Sequence, residues 1–332
     1  MSERTTLLGS DVQARRPLTQ VSLSRVGVTG VEKVIRIRSN GREELFYAEL
    51  ECFVDLGPEQ KGAHMSRFEE VVNEAIDEVI LGEAFKAETL AAHIAERVRD
   101  RQDGLRAEVT IAARYPENKS TPASGSLTQE IYTLFGSAVA SPLGTRRVVG
   151  VQAQGMTACP CAQEMVMERS QQRLRDAGFD DGEIERVFEA VPVATHNQRG
   201  IGTLHIGCPE GCTEAIEAQS LLDIVESSMS SEIYELMKRS DEVEVVEKAH
   251  MRPRFVEDCV REMVRMATER FGHLADDAFV SARQENLETI HRHNVVAERH
   301  GLMLDLASEI ETGERVARHV GMREWLEGAP PA

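Results

Sequence analysis

The chain has 332 residues, 41% of them hydrophobic, and 56 acidic side chains against 38 basic ones give it a formal net charge of −18. That charge disfavours nucleic acid and anionic membrane surfaces, since both are bound through a cationic face. There is no run of about 18 apolar residues and no apolar stretch near Met1, so neither a membrane span nor a secretory leader is expected, and the expected location is cytoplasmic.

Residues 1–18 read as a flexible arm. Residues 21–37 and 45–55 are rich in β-branched side chains, punctuated by Gly27, Gly30 and the turn Ser39-Asn40-Gly41, and predict paired antiparallel strands. Apolar positions at Phe68, Val71, Val72, Ala75, Ile76 and Val79 predict a helix over 66–81, capped by Ser66, and 87–98 repeats the spacing. Residues 105–115 alternate as a strand, 116–125 read as a polar loop, and 127–140 and 145–153 read as extended segments.

Pro160 suits a first helical turn, and Ala162, Met165, Val166, Arg173, Leu174 and Ala177 predict one face of a helix that Gly178 can end. A short helix over 182–190 leads to Pro192 and His196. Beyond it, 201–206 reads as strand, 220–237 and 253–271 as helix, 279–284 as strand, and the region near 300–318 as a last helix. Strands, helices and further strands thus occur early, and a similar order recurs with added helices. This ordering predicts an α+β fold with antiparallel sheets and helices on one face.

Cys159-Pro160-Cys161 falls at the predicted helix start, where free backbone N–H groups favour negative charge on sulfur. With the polar run His196-Asn197-Gln198-Arg199 following, the pair is a candidate divalent-metal site or nucleophile; a structural cysteine pair is the plain alternative. Glu288-Thr289-Ile290-His291-Arg292-His293 offers a carboxylate and two imidazoles, or else a solvated polar turn. Cys208 and Cys212 form a weaker metal or redox candidate, while Cys52 and Cys259 lie in apolar segments and read as buried small hydrophobes. Six cysteines without a secretory leader argue against a disulfide framework. Lys61 to Arg67 precede a helix and could meet phosphate oxygens, and Lys238, Arg239, Lys248, Arg252 and Arg254 add a basic stretch before Phe255-Val256-Glu257-Asp258.

Taken together, Val26–Gly30, Lys61–Arg67, Gly155–Gln163, His196–Arg199, Phe255–Asp258 and Glu288–His293 resemble the motifs of the type IB GTP cyclohydrolases, nearer to the branch with the archaeal enzyme of methanopterin synthesis. The long helical segment between Cys161 and His196 is similar to that branch. The resemblance implies tandem tunnelling-fold (T-fold) units, over 19–126 and 127–320 with a tail at 321–332, in a homo-oligomer (dimer or tetramer) with sites at subunit interfaces. It also implies a divalent metal, Fe²⁺ first with Mn²⁺ or Zn²⁺ as alternatives, held by Cys159, His196, Glu242 and His291, with His293 able to replace His291. Glu257 would anchor the guanine of GTP, Arg67, Arg199 and Lys61 would meet its phosphates, and Cys159, Glu288 and His64 would serve the chemistry.

The implied product is a 7,8-dihydroneopterin, as the triphosphate or as the 2′,3′-cyclic phosphate. Two other readings accompany it: a non-catalytic metal or nucleotide module, and a thiol-nucleophile enzyme like the nitrile reductases that share the fold.

Overall fold

The computed structural model describes residues 12–39, 42–79, 86–209 and 216–328. The chain opens with β1 (Leu23–Ser39), β2 (Arg42–Leu56), α1 (Met65–Val79) and α2 (Ala87–Gln102), followed by β3 (Ala107–Ser120), β4 (Leu127–Ser141) and β5 (Gly144–Ala158). It continues with α3 (Pro160–Asp176), α4 (Asp181–Ala190), β6 (Asn197–Cys208), α5 (Ala218–Ser228), β7 (Ser231–Glu232), α6 (Arg239–Met251) and α7 (Val256–Phe271). The last elements are β8 (Phe279–Leu287), β9 (Val295–Leu302), α8 (Met303–Thr312) and α9 (Met322–Leu326). The strands form a nine-stranded sheet in the order β1-β2-β3-β4-β5-β6-β8-β9, with β7 on β5, and the pairings β1–β2, β2–β3, β5–β7, β6–β8 and β8–β9 are antiparallel. This is the predicted α+β architecture.

Two compact units emerge, one of residues 1–114, 135–149 and 323–332 and the other of 115–134 and 150–322, so β3, β4 and β5 each pass from one to the other. In the first, every second residue of β2 from Phe46 to Leu56 is buried, and Val109 and Ile111 of β3 continue that face. Phe68, Val71 and Val72 of α1 and Leu90, Ile94 and Val98 of α2 are fully or almost fully buried, as the helical spacing predicts. Each such aliphatic side chain contributes roughly 1.5–3 kcal/mol of burial. Gly136 lets α2 start close to the sheet, because a Cβ there would lie 2.1 Å from the carbonyl carbon of Ala87.

In the second unit, Leu204 and Ile206 of β6 and Val280 and Ala282 of β8 share a buried face with Leu221, Leu222 and Val225 of α5 and Cys259, Met263 and Ala267 of α7. Among the described residues no helix is long and apolar enough to cross a membrane.

Several local expectations change. Residues 116–120 extend β3 instead of forming a loop; the register with β2 ends at Ala113, so Pro116 stands where that neighbour needs no N–H. The 220–237 helix stops at Ser228, where Arg252 and Arg254 donate to the carbonyls of Ser227 and Ser228 (both 2.6 Å) and Ser231 and Glu232 pair with β5. Residues 300–302 belong to β9, and α8 ends at Gly313, whose φ of 72° is left-handed. The apolar face expected on α3 is not buried: among its residues only Gln163 is, and Met165 and Val166 are exposed.

Residues 1–11 of the expected arm, and Asn40 and Gly41 of the expected turn, lie outside the described residues. The backbone of 13–15 is tied down, with Lys61 N–H donating to the carbonyls of Gln13 and Arg15 at 3.1 and 3.0 Å. At the other end α9 buries Trp325, which is 2% exposed.

Candidate active site

Cys159 is the N-cap residue of α3, with extended backbone angles (φ −76°, ψ 117°), and Pro160 occupies the first turn as its missing N–H allows. The residue is held from both directions. Its N–H donates to the His196 carbonyl (3.1 Å), and the Thr195 hydroxyl donates to its own carbonyl (2.9 Å). The preceding residue, Ala158, receives Arg254 N–H at its carbonyl (3.0 Å) and donates to the Ser230 hydroxyl (3.1 Å). Buried Gln163, one turn into α3, donates to the carbonyls of Val193 and His250 (both 2.7 Å), fixing the start of the helix to the segment that carries His196.

His196 immediately precedes β6. Its Nδ1 lies 3.1 Å from Oε1 of Gln198, two residues on, and 3.8 Å from Oε2 of Glu288. Glu288 begins the loop joining β8 to β9; its side chain is only 7% exposed, and Oε2 has no hydrogen-bond partner. The loop is neither helix nor strand. Thr289 ties it to β6 by donating to the Asn197 carbonyl (3.0 Å), the His196 and His291 rings meet edge to face at 6.5 Å, and the His293 ring stacks on His291 at 5.2 Å.

These side chains border a cavity of about 260 Å³, together with Gln198, Arg254, Phe255, Val256, Glu257, Asn286 and Val295. Glu257 lies in the first turn of α7, where the helix dipole favours a carboxylate, and it also lines a neighbouring cavity of about 480 Å³. Arg254 is the guanidinium of the wall. Burial and the charge of Arg252 lower its pKa, and it is engaged with the Ser228 carbonyl and, at 3.7 Å, with Glu262.

Of the residues expected at a site, Cys159, His196, Glu288, His291 and Glu257 are brought to one cavity, and His293 joins them. Glu242 is not among its lining residues. Asp241 turns inward to cap α6, burying the Asp241, Val245 and Ala249 stripe, and this register leaves Glu242 exposed on the outer side. Arg199 is not among them either: Gln198 and Gly200 are buried, so the strand alternation puts Arg199 on the opposite, exposed side of β6.

Lys61, His64 and Arg67 belong to the first unit. There Lys61 is exposed, His64 exchanges backbone hydrogen bonds with the Gln102 amide (3.1 and 2.8 Å), and Arg67 donates to the Arg101 carbonyl (3.0 Å). Since α1 starts at Met65, His64 rather than Ser66 stands at its cap.

Cys161 is a free, exposed thiol and is not part of the cavity wall. Cys208 is disulfide-bonded, contrary to the all-thiol expectation, and Cys212 lies outside the described residues.

Sequence reasoning gave no role to Gln198 or Asn286, and named Arg254 only as one of a basic stretch. A signal existed for Gln198, since residues two apart on an extended segment share a side and His196 was already singled out. Asn286 and Arg254 reach the cavity through the β6–β8 register and the α5 terminus, which no local spacing announces.

The donor types suit a divalent ion, namely thiol, imidazole and carboxylate, and the unpartnered Glu288 oxygen is what a cation would satisfy. As the side chains stand, no three His, Cys, Asp or Glu groups among the described residues converge closely enough to hold one. His291 and His293, on the loop, are the exposed donors of the set.

The chain matches the family model of type I GTP cyclohydrolase folE2 over residues 10–297. It is 40% identical over 311 residues to GTP cyclohydrolase MptA of Methanococcus maripaludis, spanning 91% of this chain and 98% of that protein. The corresponding MptA protein of Methanothermobacter thermautotrophicus is 42% identical over 307 residues, covering 91% and 96% of the two chains. That of Methanocaldococcus jannaschii is 39% identical over 306 residues, covering 90% and 97%. Among solved structures, a hyper-thermostable AgUricase mutant is similar with a TM-score of 0.51 at 10% identity, covering 90% of this chain and 94% of that one, a likeness of fold alone.

Proposed function

Since the chain belongs to the type I GTP cyclohydrolase family and is a GTP cyclohydrolase, we propose that the cavity bordered by Cys159, His196, Glu288 and His291 is where water opens the guanine imidazole ring. The observation that carries this reading is Glu288 Oε2, buried, 3.8 Å from His196 Nδ1 and without a hydrogen-bond partner. An unsatisfied buried acceptor costs about 1–3 kcal/mol, and more when charged, so the position favours a cation or a substrate proton.

Cys159, His196 and His291, with Glu288 as the nearby carboxylate in place of the exposed Glu242, would hold a divalent ion. Such a mixed set accepts Fe²⁺, Zn²⁺ or Mn²⁺, with Fe²⁺ first in this reading. When bound, the ion supplies Lewis acidity that makes a water nucleophilic near neutral pH.

The protein's own groups would do the rest. Glu257 can accept hydrogen bonds from guanine N1–H and the exocyclic amine together, which would hold the base at the cavity that Glu288 also lines. Glu288 takes the proton as water adds at C8 and passes it to the departing N9; a second water then releases C8 from N7 as formate. Condensation of the freed amine with the rearranged ribose carbons closes the new ring with loss of one water. Of the phosphate-facing cations of this reading, Arg254 lines the cavity; Arg199, Lys61, Arg67 and the second proton carrier, His64, do not line it and would act from a neighbouring subunit of the homo-oligomer.

The product in this reading is the 7,8-dihydroneopterin 2′,3′-cyclic phosphate with pyrophosphate released, in keeping with the archaeal branch that the long α3–α4 insertion resembles. The exposure of His291 and His293 at the cavity rim supports a homo-oligomer in which a neighbouring subunit completes the wall. Anaerobic incubation with GTP and Fe²⁺, Mn²⁺ or Zn²⁺ in turn tests these points. Metal-dependent formate and a pterin of cyclic-phosphate mass are expected; a triphosphate pterin would overturn the product assignment, and full activity in strong chelator would transfer the chemistry to the Cys159 or Cys161 thiol.

A further inference from the structure

Gln198 is 6% exposed, and its side-chain oxygen faces Nδ1 of His196 at 3.1 Å. The same nitrogen is 3.8 Å from Glu288 Oε2, too far for a hydrogen bond. An amide oxygen can only accept, so the ring nitrogen that faces it carries the hydrogen. Which nitrogen of an imidazole is protonated or metallated is set by the hydrogen bond that the other ring nitrogen makes.

The geometry points to Gln198 as a positioning residue that locks His196 in the Nδ1–H tautomer, leaving Nε2 as its one lone-pair donor and Glu288 Oε2 uncommitted. This deepens the proposed reading of the cavity as a divalent-metal site and rests on it for its purpose, although the tautomer itself does not depend on a metal. Two features make the assignment specific. Gln198 is the second residue of β6 and is buried on the same side as Gly200, so its amide has little room to swing away from the ring. The His196 backbone is clamped as well, through its carbonyl to Cys159 N–H (3.1 Å), so the side-chain hydrogen bond supplies the remaining restraint on the ring. Partners of this kind raise ligand basicity and fix ring orientation at metal centres, and their loss typically weakens metal binding about 10–100-fold.

The test uses the full chain as wild type, Gln198→Leu and Gln198→Glu. Nitrogen-15 NMR of the histidine rings in metal-free protein, with the His196 signals assigned by comparison with His196→Gln, reads the tautomer directly. Competition of Co²⁺ or Zn²⁺ against a chromophoric chelator reads affinity. Wild type is expected to show Nδ1–H at His196. Gln198→Leu should lose it and bind metal about 10–100-fold more weakly at unchanged circular dichroism. Gln198→Glu, whose carboxylate accepts the same hydrogen bond, should restore both and guards against a folding defect in the leucine variant. An Nε2–H tautomer in wild type, or an unchanged tautomer and affinity in Gln198→Leu, would overturn the inference. Wild type that shows the Nδ1–H form yet binds no divalent ion would instead sink the metal reading and leave the positioning role of Gln198 standing.

Discussion

The main-chain N–H of Cys159 donates to the main-chain carbonyl of His196 at 3.1 Å, and the Thr195 hydroxyl returns a hydrogen bond to the Cys159 carbonyl at 2.9 Å. The two residues sit at the two ends of the α3–α4 hairpin. Their spacing therefore rests on direct backbone contact, reinforced by Gln163 in the first turn of α3, which donates to the Val193 and His250 carbonyls.

Glu288→Gln keeps the shape of the carboxylate and removes its ability to take a proton. Formate release from GTP should fall by about 10²–10⁴-fold. Circular dichroism should be unchanged, and the thermal midpoint should not fall, because Oε2 makes no hydrogen bond that the substitution would break. Turnover within a few-fold of wild type would remove Glu288 from the chemistry.

Thr289 anchors the β8–β9 loop: its hydroxyl donates to the Asn197 carbonyl at 3.0 Å, which a serine hydroxyl can do equally. Thr289→Ser should match wild type in formate assays. Thr289→Val deletes the donor, and a loss of about 0.5–1.5 kcal/mol in loop anchoring should appear as weaker metal binding and slower turnover. Equal behaviour of the two variants would show that the loop is held by other means.

The buried carboxylate of Asp241 accepts from Ser124 N–H (2.7 Å), Lys238 N–H (2.9 Å), the Ser124 hydroxyl (2.8 Å) and Ala123 N–H (3.0 Å). Burial alone would raise its pKa, but these donors outweigh burial and hold it well below the usual carboxylate range. In acid the unfolded chain thus takes up this proton before the folded one does. The stabilisation is present above the ordinary aspartate value of about 3.9 and is lost as pH falls below it toward the folded value. Asp241→Asn should lower Tm at neutral pH and flatten the acid limb of a Tm-against-pH curve; an unchanged curve would contradict the assignment.

Thiol reactivity should divide the free cysteines. Burial pushes Cys52 and Cys259 up to about 12, whereas Cys161 is exposed. A chromogenic disulfide reagent at pH 8 should label Cys161 in native protein and reach Cys52 and Cys259 only after denaturation, with Cys161→Ser removing the fast phase. Rapid native labelling of Cys52 would show that the first unit opens readily.

Periodicity alone carried much of the architecture. The alternation of Phe46, Ala48, Leu50, Cys52 and Val54 marks β2, and Phe68, Val71, Val72 and Ala75 mark α1, because burial on one face repeats with the geometry of the element. Cys159 was readable as a helix start because Pro160 tolerates only the first turn. The site beyond its motifs was less readable. Glu242 and Glu288 are equally plausible carboxylates in a list of residues; the inward turn of Asp241 leaves the first exposed and off this cavity's wall. Arg199 and Arg254 differ in the same manner, one by strand alternation and the other by its reach to the end of α5. The α6 helix escaped notice because its buried residues include Asp241 and His250, polar groups satisfied by distant partners rather than an apolar stripe.

The α3–α4 hairpin buries little of itself, exposes Met165, Val166 and Phe179, and turns at Gly178, while its base is fastened between Cys159 and His196. A segment closed off at its root in this way can lengthen, shorten or change its outer face while the reacting atoms stay where they are. Gly178 is thus a graft point at which new surface can be added while the fastening between Cys159 and His196 is left in place.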